Sequence, residues 1–174
     1  MSKYWRAKVR AFTGATALAF SVVVATPAMA DGAPENPQEV VMPADIEIVV
    51  GDTPAPGTVV PPLGTARTVT ASATCLGTTS AYGVQGCFQH NGDITWSGDT
   101  EADGMSSAVG VYTDYGRPSF VCINSGSAGT WATCNKDYWE EGNVQLRVLR
   151  YDGDTGKFYQ PEAWSGWIPV DGQY

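Results

Sequence analysis

Histidine occurs once in these 174 residues, at His90, and after residue 66 leucine occurs only at Leu76, Leu146 and Leu149. A serine–histidine–acid centre would have to be built on His90 alone, and no nucleophile-elbow pattern accompanies it. The shortage of leucine leaves a core to be filled by valine and aromatic side chains, so Trp96 and Trp131 are expected inside. No segment keeps a 3.6-residue apolar period, and almost no helix is expected. Basic charge is scarce as well, with ten Lys and Arg against eighteen Asp and Glu. Phosphate backbones and anionic membrane surfaces would be repelled, which argues against nucleic acid and membrane as partners.

Long apolar runs are also missing. The longest covers residues 11–25, shorter than the ~20 residues a membrane helix needs. It follows Lys3, Arg6, Lys8 and Arg10 and ends in Pro27-Ala28-Met29-Ala30. Basic, apolar and small-residue parts in that order make a secretory signal peptide, with cleavage expected after Ala30. The remaining chain would hold six basic and eighteen acidic groups, a formal charge of −12. A secreted, extracellular, monomeric protein is the expectation.

Residues 31–66 hold seven prolines, six acids and no base. This composition predicts a disordered acidic Pro-rich linker or propeptide, with Asp45–Val50 as its one strand-like stretch. Residues 67–174 predict a single β domain. Arg67–Cys75 alternates strictly, with Val69, Ala71, Ala73 and Cys75 on one face. Val84–His90 and Asp93–Trp96 flank Asn91-Gly92, a type I′ hairpin signal. Ser107–Thr113, Pro118–Asn124, Asn143–Tyr151, Lys157–Gln160 and Trp164–Val170 are further β-rich runs. Short strands between frequent turn signals indicate an all-β fold, a small antiparallel sandwich or barrel.

Four cysteines fall in two equal spacings, Cys75 with Cys87 and Cys122 with Cys134, eleven residues between each pair. Four cysteines allow three pairings. The repeated spacing favours 75–87 and 122–134, each closing a loop rich in Gly, Ser and Thr. Ligand pairs of zinc sites usually lie two to four residues apart, so disulfides are expected here. Each should add about 3 kcal/mol on the loop-entropy estimate.

Three sets of residues are candidates for chemistry or binding. Asp99, Glu101 and Asp103, followed by Gly104, match the opening of a calcium loop, but Gly110 stands where the closing acid belongs. A polar turn accounts for them equally, and at most a weak calcium site is expected, with no other cofactor. Glu101, Asp103, Glu140 and Glu141 are the acids that a glycosidase pair would draw on. The aromatic pairs Tyr138-Trp139 and Trp164-Ser165-Gly166-Trp167 are candidates for exposure, where ring faces could stack on sugars. Packing is their ordinary role.

Gly126 to Trp131, Cys134-Asn135, Glu141-Gly142, Arg147, Tyr151-Asp152-Gly153 and Thr155-Gly156-Lys157 resemble a group of small secreted actinobacterial, Streptomyces-type, disulfide-containing proteins of unknown function. Asp99-Thr100, Asp103-Gly104 and Ser107-Ala108 fit the same group, and the resemblance runs from about Cys87 to Trp167. It implies a secreted β fold and adds no catalytic residue. Leu149 and Glu162 stand where many members carry a further cysteine pair. The functional expectation is a non-catalytic extracellular interaction protein, its partner another protein or a polysaccharide. Alternatives are a carbohydrate-binding module and a small enzyme inhibitor or toxin-like effector.

Overall fold

Two β-sheets face each other across a core of valine and aromatic side chains in the computed structural model, which describes residues 34, 36–63 and 75–174. The expected signal peptide, and the Val69, Ala71 and Ala73 face of the expected Arg67–Cys75 strand, lie outside the described residues. The strands are β1 (Glu39–Val40), β2 (Glu47–Val50), β3 (Cys75–Ala81), β4 (Val84–Gln89), β5 (Ile94–Asp99), β6 (Ser106–Thr113), β7 (Phe120–Asn124), β8 (Trp131–Asn135), β9 (Asn143–Asp152) and β10 (Lys157–Pro169). One sheet runs β1-β10-β9-β6-β7-β2 and the other β3-β4-β5-β8. No helix occurs among the described residues. The all-β, two-disulfide sandwich is therefore present, with one departure: β2 pairs with β7 in parallel.

Alternation builds the core as the period-two pattern of β9 requires. Val144, Leu146 and Val148 point between the sheets and meet Val109 and Val111 of β6 and Phe88 of β4. Gly86 is obligatory there, since a Cβ on it would lie 2.8 Å from Val109 and 2.9 Å from Val148. Buried Ser97 and Ser107 join the sheets through a 3.0 Å hydroxyl–hydroxyl bond.

Both disulfides pair as the spacing suggested, with Cα separations of 5.5 Å for Cys75–Cys87 and 5.8 Å for Cys122–Cys134. Their places differ. Cys87 lies on the outer face of the four-stranded sheet with Trp96 and Trp131, which meet edge to face at 6.0 Å. Cys122–Cys134 lies in the core and ties β7 of one sheet to β8 of the other. The two equal spacings are thus not two similar hairpins: the first spans a hairpin, the second a crossing between sheets.

The β4–β5 turn also differs from its expectation. Positive φ falls on Gly92 (93°) and Asp93 (53°), one residue later than a type I′ Asn-Gly turn would place it. Asp93 is held there because its carboxylate accepts the Tyr138 N–H at 2.9 Å.

The largest correction concerns residues 31–66. Instead of a disordered linker, residues 36–63 belong to the β unit. β1 pairs with β10 at one edge of the six-stranded sheet and β2 with β7 at the opposite edge. Residues 41–46 cross the outer face between them. Val40, Met42 and Ile46 cover Ala108, Val121, Ile123, Leu149 and Phe158. Ion pairs pin both ends, Glu39 to Lys157 at 2.7 Å and Glu47 to Lys136 at 2.9 Å. A flat sheet would set the edge strands about 24 Å apart, at about 4.8 Å per spacing. The crossing contains a turn, where Ile46 N–H donates to Pro43 O at 3.1 Å. Its steps from Val40 to Glu47 reach only about 21 Å. The outer face therefore curves toward the segment, here called the strap. Beyond it, Asp52 bridges to Thr133, and Pro61 O accepts the Trp131 indole N–H at 2.8 Å.

Candidate aromatic binding face

The strap covers half of the outer face and leaves the other half open. Register fixes what lies there. Arg147 of β9 stands between Gly110 of β6 and Trp164 of β10, and Gln145 stands between Tyr112 and Trp167. Four side chains of one face, Arg147, Trp164, Tyr112 and Trp167, are thus gathered at the uncovered end.

Trp164 and Trp167 are three residues apart, a separation that in a regular strand puts side chains on opposite faces. A bulge corrects the parity. Trp164 pairs with Arg147 and Trp167 with Gln145, so Ser165 and Gly166 together stand opposite Leu146 alone. Ser165 turns inward and satisfies the backbone that the bulge would orphan. Its Oγ accepts the Leu146 N–H at 2.8 Å and donates to Gly166 O at 2.6 Å. Gln145 Nε2 donates to Ser165 O at 2.8 Å. Both indoles then lie on the outer face, Trp164 45% and Trp167 49% exposed.

Trp164 is held from behind. The Arg147 guanidinium carbon lies 4.9 Å from its ring centroid, and the Arg147 side chain is only 13% exposed. A planar guanidinium under an indole is a stacking and cation–π contact. Glu162 fixes that guanidinium through Nε at 2.7 Å and through Nη2, and Met42 Sδ accepts from Nη1 at 3.5 Å. Burial works against the Arg147 charge, but its interactions with Tyr112 and Glu162 outweigh that and leave Arg147 more firmly protonated than a free arginine. Tyr112 flanks the indole at 5.1 Å with a 38° tilt. Gly110 makes room for Tyr112, whose ring would lie 3.3 Å from a Cβ at that position.

Trp139, 54% exposed, sits in the loop between β8 and β9 and packs edge to face on Tyr115 at 5.5 Å. Asp114 braces this end of β9 by accepting the Asn143 N–H at 2.9 Å and its side-chain amide at 2.6 Å. These bonds hold the Asp114 carboxyl below the ordinary range.

The expected ligand residues therefore separate. Trp139, Trp164 and Trp167 are exposed, whereas Tyr138 is 6% exposed and packs against Phe88 at 5.8 Å in the core. Its expected exposure is corrected, because the backbone capture by Asp93 draws it inward. Burial raises its phenol pKa. Trp96 and Trp131 are buried as expected. Tyr112, Arg147 and Glu162 had no signal as site residues. Strand register brings Tyr112 and Arg147 together with Trp164, and Glu162 joins through its bond to Arg147.

Two of the three acids of the expected calcium loop are engaged elsewhere, and Glu101 is exposed. Asp103 forms a buried ion pair with Arg150 at 3.0 Å and accepts the Met105 N–H at 2.9 Å. Asp99 is buried and accepts the Glu101 N–H at 3.1 Å. Burial foremost, with Asp103 and Glu101 nearby, pushes the Asp99 carboxyl up to about 6. No cluster of three or more potential metal ligands occurs among the described residues. Glu140 and Glu141 are exposed in the loop that carries Trp139.

No family model, curated protein or solved structure matches the chain.

Proposed function

We propose that the protein is a secreted, non-catalytic extracellular binding module whose ligand is a saccharide chain. Two structural disulfides suit an oxidising environment such as the cell exterior. The observation that carries the reading is the bulge at Ser165-Gly166, which turns two tryptophans onto one open sheet face. Sugar rings offer apolar C–H faces with hydroxyl groups around their rims. A fixed indole meets the face, and Gln145 and Glu162 supply polar groups beside it. Because Trp164 is already stacked on Arg147, little side-chain freedom is lost on binding. The acidic chain favours an uncharged saccharide over an anionic one.

The test is sedimentation with insoluble cellulose, chitin and peptidoglycan, comparing the protein with Trp164→Ala/Trp167→Ala. Binding to one of them that disappears in the double variant supports the reading, and no binding to any removes it. One observation favours a protein partner instead. β2 is an edge strand, and its Ile48 and Val50 are exposed. An extended segment of another protein could add to such an edge.

A further inference from the structure

We infer that the strap is a positioning part of the aromatic face, acting through Met42, and not merely a cover for apolar surface. This rests on the reading of that face as a ligand site. Besides Tyr112, three groups hold the Arg147 guanidinium. Glu162 comes from β10, Trp164 stacks over it, and Met42 comes from a segment more than a hundred residues earlier in the chain. Met42 is half-buried, packs with Ile123, Leu149 and their neighbours, and places its sulfur 3.5 Å from Arg147 Nη1.

The geometry makes Met42 the end stop of the guanidinium. Glu162 Oε2 accepts from both Nε and Nη2, so a single carboxylate oxygen anchors that edge of the guanidinium. Nη1 then points at Met42. An unbranched thioether fills such an irregular space closely. Without it, the guanidinium can swing about the Glu162 bond, and the indole lying on it loses its support. The strap packs on the outer face of one sheet, apart from the core between the sheets. From β1, β2 and their connection, the inter-sheet core draws only Val49. β1 contributes two residues to its sheet. Displacing or cutting the strap near its exposed Ala44-Asp45 turn would release Met42 from Arg147 and loosen the face.

The experiment uses the full chain labelled with 5-fluorotryptophan and read by fluorine NMR. Trp164→Phe and Trp167→Phe identify the two signals. Met42→Ala should shift or broaden the Trp164 signal and weaken binding of the saccharide found by sedimentation about three- to tenfold. Met42→Leu, which keeps the bulk, should restore both. The signals of Trp96 and Trp131, buried on the other sheet, report that the sandwich remains folded. A Trp164 signal unchanged in Met42→Ala overturns the inference. A signal that moves in a protein that binds none of the saccharides upholds the positioning role and removes the saccharide reading alone.

Discussion

Ser165→Ala is the sharpest test of how this sequence builds its exposed face. The hydroxyl of Ser165, a residue 9% exposed, is the acceptor for the Leu146 N–H. Leu146 is fully buried in the inter-sheet core. Alanine keeps the bulge sterically possible but leaves that N–H facing a methyl group. An unsatisfied buried donor costs about 1–3 kcal/mol. For a chain of this size, each kcal/mol lowers Tm by about 2–4 °C, so a fall of about 2–12 °C is expected. The loss should be local. Amide exchange at Leu146 should quicken by more than at Val144 or Val148, which lie on the same strand. Calorimetry and hydrogen exchange read the two effects. An unchanged Tm with Leu146 still protected would refute the idea that the serine sustains the bulge.

Four other outcomes follow from the same contacts. Replacing Cys122 and Cys134 by alanine should cost about 3 kcal/mol by denaturant titration, from loop entropy. Gly86→Ala should cost about 1–3 kcal/mol in the same assay, because its methyl meets Val109 and Val148 at 2.8 and 2.9 Å. Asp99 binds its proton more tightly in the folded chain, up to about 6, than the ordinary 3.8. The folded state therefore holds more protons between those values, and Asp99 lowers stability as pH rises from about 4 to 6. Asp99→Asn should flatten that part of the Tm-against-pH curve. Calcium at about 5 mM should leave Tm where EDTA leaves it, because Asp103 is bound to Arg150.

What the sequence made legible follows physical lines. Val144, Leu146 and Val148 alternate where β9 buries only its inner face, and a period of two records that arrangement directly. The cysteine spacing recorded the disulfide pairs, but not that Cys122 and Cys134 join different sheets. β8 went unread because Trp131–Asn135 is short and lies between turn-rich stretches. The strap was misread for a related reason. Its prolines and acids describe a chain without local structure, while Val40, Met42 and Ile46 find their partners on β6, β7, β9 and β10. No window of neighbouring residues contains that information. The Trp164–Trp167 pair was legible as a candidate, but the bulge that gives both rings one face depends on pairing with β9. Arg147 and Tyr112 join the site through register alone.

The most direct measurement is affinity for the saccharide retained by sedimentation, taken for the intact protein, Trp164→Ala, Trp167→Ala and the double variant, with folding checked by near-ultraviolet circular dichroism. Each single loss should weaken binding, and the double loss should abolish it in a folded protein. Full affinity in the folded double variant would contradict a ligand face built on these two tryptophans.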